Sequence, residues 1–376
     1  MDSLQYIWQL RGWPGLSFDA AHLAAEVALA RRAQGLVEGK LAALGFQERQ
    51  DLAAEAWAQE TLATAAIEGE KLDLLAVRSS IAQRLGAAAF KGPAAPRHVD
   101  GLLDIMDDAV VKANEPLTHE RLQAWQAALF PTGFSGMRLV TTGAYRTQAM
   151  QIVSGPMGRE TVHYEAPAAG QVPAQMQNFL DWFNAGHEDS LVKAALAHLW
   201  FETIHPFDDG NGRVGRNIVD LCLARDAGET SRLVRVSQRL LEQREAYYNE
   251  LGRAQHGGLD VTPWMLWFVR QVRIAWEAAS AVADTSLEKA RFRATHAGAP
   301  LNARQRKAVN ALLDQGPGGF EGGMSTRKYV SLTGTSRPTA SRELIELHAL
   351  GVLKQSGAGR STRYYVNLPG WFPKQE

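Results

Sequence analysis

His205-Pro206-Phe207-Asp208-Asp209-Gly210-Asn211-Gly212-Arg213-Val214-Gly215-Arg216 brings a titratable base, two carboxylates, three glycines and two arginines into twelve consecutive residues. A histidine that is neutral near physiological pH can accept a proton from a hydroxyl while that oxygen attacks, which makes His205 the candidate general base. Asp209 offers the hard oxygen that Mg²⁺ accepts, usually beside waters and substrate phosphates. Gly210 and Gly212 let the backbone turn tightly and come close to a ligand. The run Ser190 to Ile204 reads as a helix that delivers His205 at its end, and Asn211 to Ala224 reads as the next helix. A helix starting near Gly212 aims free N–H groups and the positive end of its dipole at an anion. Arg213 and Arg216, three apart, share a face of that helix and can fork onto phosphate oxygens. Phe207 reads as a core plug, and Val214 and Gly215 as packing positions.

The run is similar at every specified position to the Fic-family motif His-x-Phe-x-(Asp/Glu)-Gly-Asn-Gly-Arg-x-x-Arg. At ordinary residue frequencies, such a match arises by chance less than about once in 10⁶ chains of this length. The resemblance implies a protein adenylyltransferase that moves AMP from ATP to a Ser, Thr or Tyr hydroxyl of a target protein. It makes His205 the catalytic base and gives Asp209 the Mg²⁺. The Gly210–Arg213 loop would stabilise the transferred group, with Asn211 and Arg213 on phosphate oxygens and Arg216 on the γ-phosphate. Relatives that transfer an intact phosphate depart from Gly-Asn-Gly-Arg, and this chain does not.

Upstream, Thr64-Ala65-Ala66-Ile67-Glu68-Gly69 fits the (Ser/Thr)-x-x-x-Glu-(Gly/Asn) pattern of the inhibitory helix found in one class of Fic proteins. Gln47 to Ile67 contains no Gly or Pro and is rich in helix formers, so Thr64 and Glu68 fall on one helical face and Gly69 ends it. The resemblance implies that Glu68 pairs with Arg216 and holds transfer off. It also allows Glu68 to orient water for AMP removal.

Between Tyr145 and Tyr164 two extended runs, Gln151–Ser154 and Glu160–Tyr164, flank Gly155-Pro156-Met157-Gly158 and read as a β-hairpin. In Fic proteins this is the flap over the nucleotide, which gives Ile152, Val153, Ser154 and Gly155 to nucleotide binding. The same flap makes the 150–164 hairpin the docking strand of the target protein. His163 reads as a surface or packing residue. Tyr247, Tyr248 and Gln255 resemble the family's adenine-side segment, while Trp264, Trp267, Phe268 and His198 read as core. The opening Ile7-Trp8-Gln9-Leu10 with Trp13-Pro14 resembles the small domain that precedes many bacterial Fic cores.

The composition fits a folded, mainly α chain: 376 residues, 45% hydrophobic, 21% charged, net charge zero. No apolar run reaches membrane-spanning length and no secretory signal pattern opens the chain. The single cysteine, Cys222, cannot form an internal disulfide, so a cytoplasmic setting is expected. Three segments are expected: a helical N-terminal domain over 1–96, a helical Fic core with its hairpin flap over 97–293, and a winged helix-turn-helix over 300–376. The last shows three helix patterns and a terminal hairpin, with eleven Lys/Arg against five Asp/Glu from Leu301 to Glu376. A net of +6 points to a DNA partner held by Arg337, Arg342, Arg360 and Arg363, or to a protein partner. The family resemblance allows a homodimer. Two rival readings stay open: a DNA-binding regulator whose Fic core only senses nucleotide, and transfer of a nucleotide other than AMP.

Overall fold

The computed structural model describes residues 6–85, 92–154, 159, 161–185, 188–316 and 322–372. Among these the chain forms fourteen α-helices and three two-stranded antiparallel hairpins, so the mainly α class read from the sequence holds. It divides into two compact units, Met1–Leu41 with Arg49–Ser280, and Ala42–Glu48 with Ala281–Glu376.

The first unit opens with α1 (Ala20–Ala42), α2 (Phe46–Ile67) and α3 (Leu74–Arg84). Helix α2 stops where Gly69 takes φ 81°, a left-handed conformation that suits glycine. Helices α4 (Arg97–Val111) and α5 (His119–Leu129) follow, then the short hairpin β1 (Phe134–Ser135) and β2 (Arg138–Leu139). The hairpin expected further on is β3 (Gln151–Ser154) against β4 (Thr161–Glu165), with an irregularity between Ile152 and Val153. Its turn at Gly155–Gly158 lies outside the described residues.

The centre of this unit is built by α6 (Val172–Ala185), α7 (Ser190–Ile204) and α8 (Asn211–Ala227). All of α7 is buried, which explains why its sequence is apolar on every face rather than along one stripe. On α4, Val99, Leu102, Leu103, Met106 and Val110 are buried with helical spacing, and that helix packs on α8. Helices α9 (Val236–Glu242), α10 (Arg244–Gln255) and α11 (Thr262–Thr295) complete the unit, α11 running on into the second. Tyr6 sits edge-on to Tyr164, and Trp8 Nε1 donates to the Glu165 carbonyl at 2.8 Å. The N-terminal aromatic segment thus packs on the base of the β3–β4 hairpin.

In the second unit α12 (Ala303–Gln315), α13 (Thr326–Thr333) and α14 (Arg337–Ala349) precede β5 (Leu353–Ser356) and β6 (Arg363–Val366). Asn302, Ser325 and Ser336 cap the three helices through their side chains. Leu312, Leu313, Tyr329, Leu344, Leu347 and Val352 form the core.

Candidate active site

Helix α7 ends at His205, which adopts φ 49° and ψ 62°; it is the one non-glycine residue with positive φ among the described residues. A left-handed histidine is strained, and such strain persists only where surrounding structure enforces it. The enforcement is visible. The backbone N–H of His205 donates to the Phe201 carbonyl at 2.9 Å. Its carbonyl accepts from Nε of buried Arg146 at 2.8 Å. The same guanidinium donates to the carbonyls of Gln148, Pro167 and Ile204. Burial lowers the proton affinity of Arg146, but four carbonyl acceptors compensate the buried charge.

After the turn, Gly210 takes φ 88° and caps α8. A Cβ there would also press on Phe130 and Leu129. Asn211 spans the turn, its Oδ1 accepting from Phe207 N at 2.9 Å and its Nδ2 donating to Phe207 O at 2.8 Å. The Asn211 side chain thus braces the loop through one donor and one acceptor. The first turn of α8, from Asn211 to Arg213, keeps the free N–H groups of any helix start.

Arg216 is 3% exposed. Its Nη2 donates to Glu68 Oε1 at 2.7 Å and to the Thr64 carbonyl at 3.0 Å, and its Nε to Thr64 Oγ1 at 2.8 Å. Burial would weaken its hold on a proton, yet Glu68, Tyr247 and Glu202 raise it above the ordinary arginine value. Gly212 makes room for this pairing, since a Cβ there would run into Glu68 Oε1 and Arg216 Nη1.

Two cavities meet the motif. One, of about 690 Å³, is lined by His205, Gly212, Arg216, Ile152, Val153, His163, Tyr247, Tyr248 and Gln255 among others. The other, of about 870 Å³, is lined by Asp209, Arg213, Glu70, His98 and Phe130 among others. Glu68 borders both. The two spaces thus divide most of the residues singled out from the sequence and share Glu68, while Gly210, Asn211 and Thr64 line neither. Ser154 ends β3, and Gly155 lies outside the described residues.

At the far end of the first cavity Tyr247 is buried and its hydroxyl lies 2.8 Å from His198 Nε2, while the Tyr248 ring is 44% exposed. Gln255 Nε2 donates to the Glu202 carbonyl at 3.2 Å.

In the second cavity Asp209 Oδ1 accepts from Gly210 N at 2.7 Å and Oδ2 pairs with Arg138 at 3.0 Å. Glu70, two residues after Glu68, pairs with Arg213 at 3.3 Å and with His98 at 3.1 Å. Among the described residues no cluster of three or more His, Cys, Asp or Glu could hold a metal. A single partly exposed carboxylate beside arginines fits a Mg²⁺ held mainly by phosphates and water, and does not fit a protein-only cage.

Arg138, Arg146, Glu70 and Glu202 escaped the sequence reading. For Glu202 a signal existed, because it lies three residues before His205 on one helix. Arg146 binds only backbone carbonyls, which leave no residue-type signature.

A family model described as Fic/DOC family matches residues 116–223, and a domain of unknown function, DUF4172, matches residues 6–87. Protein adenylyltransferase Fic of Drosophila willistoni is 37% identical over 102 residues, 26% of this chain and 19% of that protein. The protein of the same name from Nematostella vectensis is 25% identical over 224 residues, 57% of this chain and 47% of that one. The chain thus spans less than half the length of these relatives. Among solved structures, a Fic family protein from Desulfovibrio desulfuricans G20 shares the fold with TM-score 0.57 and 23% identity, covering 94% of this chain and 98% of that one. A Fic domain containing signaling protein from Bacteroides thetaiotaomicron VPI-5482 does so with TM-score 0.51 and 18% identity, over 69% of this chain and 97% of that one. The chain therefore carries a Fic domain, homologous to that of proteins named protein adenylyltransferase Fic.

Proposed function

We propose that this chain transfers AMP from ATP to a Ser, Thr or Tyr hydroxyl of a target protein, and that Glu68 restrains the transfer. The observation that carries this reading is the pairing of Arg216 with Glu68 at 2.7 Å beside a cavity that His205 also lines. A buried arginine near a helix start is an anion site, and here the carboxylate of Glu68, just past the end of α2, occupies it.

His205 takes the proton from the attacking hydroxyl, and the amides of the first turn of α8 accept the charge that develops on the transferred group. Arg213 and Arg216 neutralise the remaining phosphates once their carboxylate partners move aside. The Tyr248 face and Gln255, at the other end of the cavity, suit a purine and its ribose. A magnesium ion held by Asp209 would offset phosphate charge when bound. The edge of the β3–β4 hairpin supplies backbone groups for a target strand. Glu68 can also serve the reverse reaction by holding a water against the modified hydroxyl. A cytoplasmic setting agrees with a buried, unpaired Cys222, and among the described residues no helix is long and apolar enough to cross a membrane. Labelled-ATP incorporation tests the reading: Glu68→Gly raises it and His205→Ala abolishes it. Equal labelling by those two variants would remove it.

A second reading concerns the second unit alone. Its three helices and hairpin resemble a winged helix, and exposed Arg337 and Arg342 lie on the first two turns of α14. These support binding of duplex DNA. A gel shift by the full chain, reduced by Arg337→Glu with Arg342→Glu, is the expected result, and no shift at low salt would exclude it.

A further inference from the structure

Resting on the transfer reading above, we propose that Glu202 is the positioning residue for His205. It orients the ring so that Nε2 serves the cavity, and it balances the charge that the ring gains with a proton.

Glu202 lies one helical turn before His205, and its Oε2 is 3.5 Å from His205 Nδ1. Glu202 is buried, and the His205 side chain is 15% exposed. His205 Nδ1 and Glu202 Oε1 have no hydrogen-bond partner among the described residues. Buried polar atoms left unpaired are costly, and a small rotation of the ring turns this separation into a charge-assisted hydrogen bond. The His205 backbone cannot adjust, since Phe201 and Arg146 hold its N–H and carbonyl. Ring orientation therefore falls to the side-chain partner.

The opposite helix is shaped to admit this carboxylate. A Cβ on Gly215 would lie 2.5 Å from Glu202 Oε1 and 3.3 Å from both Cε1 and Nδ1 of His198. Glycine in a helix interior is unfavourable, so its presence on α8 calls for a reason, and room for Glu202 supplies one.

The other titratable and charged groups facing the pair are His198 on α7, Arg216 on α8, Tyr247 and Tyr248 on α10, Tyr164 on β4 and Glu68 after α2. Burial alone would raise the Glu202 carboxyl, but His205, His198 and Arg216 hold it below the usual carboxylate range, so it is anionic at neutral pH. Burial keeps His198 neutral, and Tyr247 and Tyr164 protonated. Glu202 is thus the carboxylate set beside Nδ1.

In the transfer step the acceptor oxygen bonds to the α-phosphorus and its proton passes to Nε2. The bond to the bridging oxygen breaks, and its electron pair leaves with pyrophosphate. The imidazolium then presents its Nδ1–H to Glu202, the arrangement in which a buried carboxylate steadies a catalytic base.

The test compares Glu68→Gly protein with the same protein carrying Glu202→Gln or Gly215→Ala. Gln keeps the shape of Glu202 and removes its charge, while Ala crowds the carboxylate from α8 and favours helix. In both variants kcat should fall, by roughly 10- to 100-fold in Glu202→Gln, with KM for ATP unchanged within about twofold. The acidic limb of the rate profile should move to lower pH, because loss of a nearby anion weakens the proton affinity of the base. Nitrogen NMR of the His205 ring should show the Nδ1–H form in the Glu68→Gly protein and a shifted Nδ1 signal in Glu202→Gln, where the facing acceptor has lost its charge. Unchanged kcat, pH profile and ring signals in Glu202→Gln would overturn the proposal. If no protein transfers AMP while the ring signals respond to Glu202→Gln, the pairing is supported and the transfer reading fails.

Discussion

Replacing Glu68 by Gln separates charge from shape in the proposed restraint. The Arg216 guanidinium donates to three acceptors of the α2 segment, the carboxylate of Glu68 and the carbonyl and hydroxyl oxygens of Thr64. Gln keeps an acceptor oxygen at the same reach and leaves both Thr64 contacts intact. The ion pair sits near the upper end of the range of about 1.5–3 kcal/mol for bonds to charged groups, and the bond from the still-charged Arg216 to a neutral Gln near its lower end. The substitution thus weakens the latch by about 1–1.5 kcal/mol, and the fraction of molecules with Arg216 released rises roughly tenfold. Glu68→Gly removes the side chain and raises that fraction by a further factor of about ten. Initial rates of AMP incorporation at subsaturating ATP should therefore rank parent, Glu68→Gln, Glu68→Gly, each step being close to tenfold. A Gln protein matching the parent while Gly is active would show that bulk, not charge, restrains the site. A Gln protein matching Gly would show that the neutral bond contributes nothing. The first outcome refutes the charge-based latch.

Other consequences reach beyond the latch. Burial and neighbouring Glu60 hold Asp220 well above the ordinary carboxylate value of 3.8. A carboxyl with a raised folded value contributes stability below its unfolded value and loses it as pH rises through the folded one. The urea midpoint of Asp220→Asn should accordingly fall less between about pH 4 and 8 than that of the parent; parallel curves would contradict this. Arg146→Met strands four carbonyls in the interior and should lower stability by about 3 kcal/mol in urea unfolding, since each unpaired buried group costs about 1–3 kcal/mol before relaxation. A loss under about 1 kcal/mol would show that Arg146 is not the keystone of the loop. Burial pushes the Cys222 thiol up to about 12, so a disulfide reagent at mildly alkaline pH should react only as the chain unfolds; prompt labelling of folded protein would count against that burial.

The helical class was legible because its signals are local. The apolar run before His205, the glycine turn and the end of α2 at Gly69 each depend on residues within a few positions of one another. Helix patterns at 302–315, 325–333 and 336–350 became α12, α13 and α14 for the same reason, with caps at Asn302, Ser325 and Ser336. What escaped is long-range or mediated by backbone. Arg146 meets His205 across 59 positions through a carbonyl oxygen, and Arg138 reaches Asp209 from a hairpin whose strands are two residues long. Asn211 shows another limit. Both ends of its amide brace Phe207, a backbone-mediated role that its place in the motif does not show. The division of the motif between two cavities at Glu68 arises from the packing of α2 against α8, which no single stretch of sequence records.

A competent AMP-transfer site held off by one carboxylate should become active when that carboxylate is removed. Intact-mass measurement of the Glu68→Gly protein after incubation with ATP and Mg²⁺ tests it most directly, with the parent and a Glu68→Gly, His205→Ala protein alongside. An AMP group should be added to the Glu68→Gly protein or to an added protein target, with little addition in the parent and none without His205. A Glu68→Gly protein that binds ATP yet leaves its own mass and every added protein unchanged would contradict it.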